Sequence, residues 1–374
     1  MSDPATMHVF DDTEAMEISF GPQHPATHGV LRVMVKLDGE KILDAKPIIG
    51  YLHRGTEKLF ERETYNGCIP HTDRMDYTAA ATNNQGLVLA VEKIMGITIP
   101  PRAAYIRMIL AELQRLSSHF IWLGTHVLDI GATTPFFYTF AEREVLLDLF
   151  EEYCGARLTL NCMRVGGVPY DLPEGWTGRC RAFVDQLPAK IADWERLLTN
   201  NRIWKERTVG IGVISAAEAI EWGLTGPPLR GSGVRWDIRK VFPYDRYDEI
   251  EFDIPIGTHG DTYDRYLVRM EEMRQSIRII RQCLDRLPDG PVMAKVPKTI
   301  KPPLGEVYAS VESPKGELGY YVVADGSDKP YRLHVRPACF INLQAMPEMI
   351  RGHLVADMIA VIGTLDIVLG EIDR

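Results

Sequence analysis

The stretch between Pro100 and Gly131 constrains this chain more than any other. Ile106, Ile109, Leu110, Leu113, Leu116, Phe120, Leu123 and Val127 recur at steps of three and four, the spacing of one face of an α-helix. Pro101 suits the first turn of such a helix, and Gly131 closes it. A helix of this length must bury its apolar face against neighbours of similar length. The sequence supplies them. Helical patterning covers 74–95, with Gly96 as a C-cap and prolines just beyond. It returns over 136–163, closed by Gly166-Gly167, over 173–200 with a bend at Pro188, over 261–287 before Pro288 and Gly290, and over 340–369. Long helices with short connections predict a bundle.

Sheet signals flank the bundle. Ile18 to Phe20 reads as a short strand. Leu31, Val33, Val35 and Leu37 alternate as in a half-buried strand, Asp38-Gly39 is a hairpin turn, and 42–49 returns. The segment 291–337 is rich in Pro and Gly and carries short apolar runs such as Tyr320-Tyr321-Val322-Val323, so strands return there. The fold class expected is α+β, a central bundle of long helices with small antiparallel sheets. Four regions follow: a flexible terminus over 1–15, a small sheet with a His-bearing loop over 16–72, the helical bundle over 73–290, and a β segment with C-terminal helices over 291–374.

Composition narrows the function. The chain has 374 residues, with 42 Lys and Arg against 51 Asp and Glu, for a net charge of −9. Nucleic-acid binding needs a basic face, so no nucleic-acid partner is expected. The longest uncharged stretch, 77–91, contains Thr, Asn and Gln and is too short and polar to span a bilayer. The opening Met1-Ser2-Asp3-Pro4 lacks the basic and apolar regions of a secretory signal. Cys68, Cys154, Cys162, Cys180, Cys283 and Cys339 form no C-x-x-C pair, which reads as reduced thiols and no metal site in this chain.

The chemistry-bearing candidates are few. Gly231-x-Gly233 lacks the third glycine and the Lys-Ser/Thr of a phosphate loop, so no nucleotide site is expected there. His24 and His28 sit in a loop punctuated by Gly21, Pro22, Pro25 and Gly29. Pro25 disfavours a helix at His24, so the pair suits hydrogen bonding to a ligand better than joint metal ligation. Asp129 ends an otherwise apolar helix that also carries His119 and His126. A helix C-terminus is a poor place for an anion; either Asp129 faces water or a cation or histidine holds it. Tyr77 lies where the first bundle helix is expected to start, a position that ordinarily serves packing.

The phrases around these residues say more than the residues alone. Gly21-Pro22-Gln23-His24-Pro25-Ala26-Thr27-His28-Gly29-Val30-Leu31-Arg32 resembles the opening of the D subunits of type I NADH:quinone oxidoreductase, respiratory complex I. So do Gly50-Tyr51-Leu52-His53-Arg54-Gly55-Thr56-Glu57-Lys58, Asp73-Arg74-Met75-Asp76-Tyr77, the segment from Arg230 to Lys240, and the tail from Asn342 to Glu348 and from Gly370 to Arg374. The resemblance runs from about residue 16 to 374. That family looks like a descendant of the large subunit of nickel–iron hydrogenases, which implies a hydrogenase-like fold. Nickel–iron ligation itself needs two C-x-x-C pairs to supply four thiolates. Here the N-terminal region offers only Cys68, and no cysteine follows Cys339.

The resemblance implies a function. The chain would form the quinone-reduction chamber of a proton-pumping enzyme, with quinone as substrate. His28 and Tyr77 would donate hydrogen bonds to the two quinone oxygens, Asp129 would pair with His28, and His24 would assist. Arg54 and Arg74 would lie near a terminal iron–sulfur cluster held by a neighbouring subunit, so that no cofactor is ligated by this chain. Partners would be that iron–sulfur small subunit, a short-sheet subunit beside it, and a membrane subunit completing a quinone tunnel. The location implied is peripheral, on the cytoplasmic side of the inner membrane. Many members carry a histidine before the Arg-x-Gly-Gly turn, whereas this chain has none between Arg157 and Gly167; a pH-linked cluster potential through that side chain is not expected. The alternatives are a related complex with another donor, such as reduced ferredoxin or a deazaflavin, and a scaffold that only docks partners.

Overall fold

The computed structural model describes residues 8–9 and 15–374. The flexibility expected over 1–15 falls outside the described residues, save for His8–Val9 and Ala15, which are strand. Two antiparallel meanders are present. The first runs β1 (His8–Val9), β2 (Ala15–Phe20), β3 (Arg32–Asp38) and β4 (Lys41–Ile48); the second runs β5 (Gly305–Ser313), β6 (Gly316–Ala324) and β7 (Arg332–Arg336). The alternation read from the sequence is real: Val33, Val35, Leu37 and Ile42 are buried. They pack on Leu343, Met346, Met358, Val361 and Ile362.

The helices α1 (Thr56–Phe60) and α2 (Tyr65–Thr72) occupy a stretch read from the sequence as sheet and loop. Four long helices follow: α3 (Ala80–Met95), α4 (Pro101–Asp129), α5 (Thr134–Cys154) and α6 (Trp176–Leu198). Short helices α7 (Arg202–Glu206), α8 (Ala216–Glu221), α9 (Pro227–Gly231) and α10 (Ile238–Val241) lead to α11 (Thr262–Arg286). The chain ends in α12 (Ala338–Gln344), α13 (Met346–Ile350), α14 (Val355–Leu365) and α15 (Leu369–Asp373).

Three boundaries differ from the sequence reading, each for a local reason. The helix expected from 74 begins at Ala80, because Asp76 Oδ1 accepts hydrogen bonds from Thr78 N (3.0 Å) and Thr78 Oγ1 (2.7 Å). A short acidic side chain that bonds nearby backbone competes with the helix. Helix α5 stops at Gly155, which is left-handed (φ 74°) and donates to Glu151 O, well before Gly166. The expected 340–369 helix is instead three pieces, α12 to α14, interrupted around Pro347 and Gly352.

Helix α4 is the axis of the molecule. It packs on α3, α5, α11 and α14 and is buried on nearly every face between Ala103 and Val127. Its polar side chains are buried too: Arg107, Glu112, Arg115, Ser118, His119 and His126 are at most 1% exposed. Buried charges need partners, and the fold supplies a connected set. Arg230 on α9 donates to Glu272 (2.5 Å) on α11 and to Glu312 (2.7 Å) on β5. His119 Nε2 lies 3.0 Å from Glu272 Oε2. Arg239 bridges Glu112 (2.8 Å) and Asp237 (2.7 Å). The Arg230 to Lys240 segment is thus an internal ion-pair element. A side chain at Gly231 would meet Arg265 Cγ at 2.5 Å, so Gly231 is packed against α11 rather than held open for a phosphate.

Candidate active site

The histidine loop is set by its own backbone chemistry. Pro25–Thr27 form one turn of 3₁₀-helix. His24 precedes it in an extended conformation, and its Nδ1 accepts from Ala26 N at 3.2 Å. The His24 ring stacks obliquely 4.2 Å from that of Phe20. His24 therefore spends one ring nitrogen on shaping the loop and keeps only Nε2 for a ligand. The buried Thr27 hydroxyl ties the turn to His24 O at 2.7 Å. His28 then takes the left-handed conformation, φ 51° and ψ 39°. Such a residue costs about 1–3 kcal/mol and persists only where its surroundings fix it.

That backbone aims His28 at the end of α4. His28 Nε2 lies 2.8 Å from Asp129 Oδ2, and the two side chains are 14% and 11% exposed. Of the alternatives open for Asp129, the histidine is the one realised. The unfavourable helix-end anion is held by an imidazole, whose Nδ1 stays available to a further partner. One turn earlier, His126 faces α14: its Nε2 lies 3.1 Å from Ala360 O, and a Cβ at Gly363 would meet its ring at 2.5 Å. The glycine admits the ring, and burial holds the His126 pKa well below the ordinary value. His126 is thus a neutral packing histidine.

Tyr77 stands in the 74–79 turn rather than on a helix. It is 37% exposed. Desolvation around the phenol and the neighbouring Asp76 charge raise its pKa. Behind it lies a group that sequence reasoning missed. Lys315 Nζ, in the turn between β5 and β6, is 3.3 Å from Asp76 Oδ2 and 3.4 Å from Asp366 Oδ2. It also donates to Thr78 Oγ1 (2.8 Å) and Ser118 Oγ (2.7 Å). The lysine side chain is only 1% exposed. A Pro-Lys-Gly hairpin turn ordinarily faces water; here Gly316, at φ 132°, lies so close to Thr225 that a Cβ would meet its Oγ1 at 2.5 Å. That close approach carries Lys315 inward. The one available signal was sequence adjacency, since Asp76 stands next to Tyr77.

The two arginines are exposed beside this turn. Arg54 Nη2 donates to Arg74 O at 2.6 Å, and Arg74 Nη1 donates to Pro70 O at 2.5 Å. Neither guanidinium makes an ion pair among the described residues, so both retain donors for an external anion. Their loop is pinned by the chain's tail: Asp373 accepts from Gly50 N (2.8 Å) and Leu52 N (2.7 Å). The structure thus joins His28 to Asp129, and Arg54 to Arg74 alongside Tyr77. The two sets are linked by α14, which packs on the 3₁₀ turn and α4 and ends at Asp366 beside Lys315. A separate cavity of about 940 Å³ lies between α3 and the 236–248 segment and includes none of these residues. Among the described residues, no cluster of His, Cys, Asp and Glu could hold a metal ion, and no helix is long and apolar enough to cross a membrane.

Comparison with known proteins bears on what this arrangement serves. The family described as the 49 kDa subunit of respiratory-chain NADH dehydrogenase matches residues 129–303 and 295–374. The D 2 subunit of NADH-quinone oxidoreductase from Solibacter usitatus is 58% identical, over 98% of this chain and 99% of its own length. The D subunit from Geotalea uraniireducens is 54% identical and that from Desulforamulus reducens 53%, covering 97% and 96% of this chain and 99% of each relative. With identity at this level along almost the whole length, the chain belongs to the D-subunit (49 kDa) family of NADH-quinone oxidoreductase, and so is one component of that oxidoreductase complex.

Proposed function

We propose that this subunit forms the quinone-reduction chamber of the complex, with His28 and Tyr77 as proton donors and Asp129 as the counter-ion of His28. The observation that carries the reading is the His28–Asp129 contact, 2.8 Å long and reachable from outside. Quinone reduction consumes two electrons and two protons, and each proton donor must lie within hydrogen-bond reach of an oxygen. An imidazolium donating Nε2–H to Asp129 offers Nδ1–H to one quinone oxygen. The Tyr77 hydroxyl offers the other. When Nδ1 gives up its proton, the ion pair becomes a bond between a neutral ring and a carboxylate. Electrostatic attraction at that bond falls, and the strained His28 turn is free to move, a start for coupling to proton translocation.

On this reading the electrons come from an iron–sulfur cluster in a neighbouring small subunit, and this chain ligates no cofactor. Arg54 and Arg74, exposed and without ion-pair partners among the described residues, favour added negative charge on that cluster, because guanidinium groups stay cationic at any working pH. A short-sheet subunit and a membrane subunit complete the chamber, and the assembly docks peripherally on the cytoplasmic face of the membrane. Kinship with hydrogenase large subunits belongs to the same reading; the metal cavity of that fold would correspond to the quinone head-group site.

The test uses the assembled complex. Tyr77→Phe keeps the ring and removes the hydroxyl, so reduction of short-tail quinones should fall about 10²–10³-fold. Reduction of ferricyanide, which draws electrons upstream, should persist. His28→Ala should behave alike and His28→Gln less severely, since an amide still donates. An unchanged ratio of the two activities in fully assembled Tyr77→Phe enzyme would remove Tyr77 from the site.

A further inference from the structure

The buried group behind Tyr77 has one carboxyl too many. Lys315 faces Asp76 and Asp366. Arg269 on α11 is fully buried over the Trp122 ring at 4.5 Å, attracted to Asp366 and Glu272. Glu272 is already served by Arg230 and His119. That leaves two cations, Lys315 and Arg269, for three buried carboxyls: Asp76, Asp366 and Glu371. Glu371 is the one without a cation of its own; it is fully buried and makes no ion pair among the described residues. Among the described residues its oxygens accept from the Cys339 side chain and from two backbone amides, Ala338 N at 3.2 Å and Cys339 N at 3.3 Å. Both are longer than the roughly 2.7–2.9 Å of bonds to a full anion. An isolated buried carboxylate is costly enough that it takes up a proton instead.

The surroundings agree. The groups that act on Glu371 are the Asp76 charge from the 74–79 turn, the Lys315 charge from the hairpin and the Cys339 hydrogen bonds from α12; Tyr320 on β6 is also close enough to feel Glu371. Arg54 approaches the same backbone, its Nη2 lying 3.5 Å from a Cβ built at Gly370. Burial, and after it the Asp76 charge, push the Glu371 carboxyl up to about 7. Cys339 and Asp76 also lie within electrostatic reach of Tyr77, so the same groups flank both.

We propose that Glu371 is the proton-holding residue behind Tyr77, protonated at rest and supplying the proton that restores the phenol after each reduction. The step rests on the reading of Tyr77 as a donor. Quinone takes two electrons from the neighbouring subunit's cluster, one proton from His28 and one from Tyr77. The Tyr77 phenolate takes the Glu371 proton; the Glu371 carboxylate that remains is reloaded by one proton from solvent. Glu371 does not touch the quinone and acts through Tyr77, as a positioning residue.

The assembled wild-type complex provides the first measurement, by infrared spectroscopy against pH. It should show a buried carboxylic-acid C=O band that disappears with a midpoint near pH 7, absent from Glu371→Gln. Second, quinone reduction by wild type should decline as pH rises through about 7, the limb of a group losing its proton. Glu371→Gln should be about 100-fold slower in quinone reduction, the low end for loss of a positioned acid, without that limb and with ferricyanide reduction intact. Glu371→Asp should recover part of the rate with a displaced limb. No carboxylic-acid band titrating near neutrality in wild type, or a wild-type limb retained by Glu371→Gln, would overturn the proposal. The infrared result does not depend on turnover, so a Tyr77 that proves irrelevant to quinone reduction is distinguished from a Glu371 that carries no proton.

Discussion

Helix α4 carries two histidine–carboxylate pairs of nearly the same length. His28–Asp129 is 2.8 Å with both partners partly exposed, whereas His119–Glu272 is 3.0 Å with side-chain exposures of 0% and 1%. The chemistry is the same and the surroundings are opposite. Glu272 is held by Arg230 as well, so His119 is not its main counter-charge. Burial is the leading influence on His119 and pushes its pKa down, while Glu272 pulls it the other way. Among the described residues Asp129 has only His28, on a strained loop that can be reached from outside. On the proposed reading the accessible, singly partnered pair serves as the proton donor, and the buried, multiply partnered one is a structural joint. Substitutions at the two places should therefore fail in different ways.

The largest effect should come from the joint. Arg230→Ala strands Glu272 and Glu312 in the interior, where removing one partner of a buried pair costs about 3–5 kcal/mol. Recovery of this chain in the assembled complex should collapse, and both quinone and ferricyanide activities should fall together. A folded variant with normal assembly would break the claim that this network holds the bundle.

Acid should attack the same place next. The Arg115 and Arg239 charges overcome the desolvation that opposes them and hold Glu112 at about 2; Arg230 likewise holds Glu272 well below the ordinary range. Depressed carboxyls contribute stability that is complete above the unfolded value of 4.5. It is lost as pH falls through the folded values. Chemical unfolding should therefore show steadily lower stability from pH 4.5 toward 2, with the loss reduced in Glu112→Gln. A flat profile over that window would show that the arginines do not hold these carboxyls charged.

At the accessible pair the effect should be on function instead. Asp129→Asn keeps a hydrogen bond to His28 and removes the counter-charge. Quinone reduction should drop about 10–100-fold, the range seen when the hydrogen-bond partner of a metal-ligating histidine is lost, with assembly and ferricyanide reduction retained. Equal losses in both assays would make Asp129 structural too. The smallest effect should be His119→Gln, whose amide can still donate to Glu272. About 1 kcal/mol of stability is the worth of the bond at risk, read as a small drop in Tm with an unchanged activity ratio. A selective loss of quinone reduction there would erase the distinction between the two pairs.

The sequence made the long helices legible because their signal is local. Apolar residues at steps of three and four, Pro101 at a start and Gly96 at an end require no knowledge of the rest of the chain. It misled where a side chain competes with the backbone, as Asp76 does just before α3, and where Gly155 ends α5 ahead of the Gly166-Gly167 stop read from the sequence. Of the candidate site, His28 and Tyr77 stood out through the phrases around them, and Asp129 as an anion at the end of an apolar helix. Their 101-residue separation hid the contact between His28 and Asp129. His24 was read as a ligand donor, and one of its two nitrogens is used in the loop itself.

What the sequence determined by itself is the class of fold, the family, and the set of chemical groups available, because these follow from periodicity and from unbroken phrases. Only the tertiary structure decided the charge state and availability of those groups. Lys315 and Glu371 look in sequence like ordinary surface residues. Packing of Gly316 on Thr225 and of α15 against the 74–79 turn removes them from water and sets them against Asp76. Desolvation and the count of nearby charges set where a proton rests, and both are properties of the assembled interior that no local stretch of sequence contains.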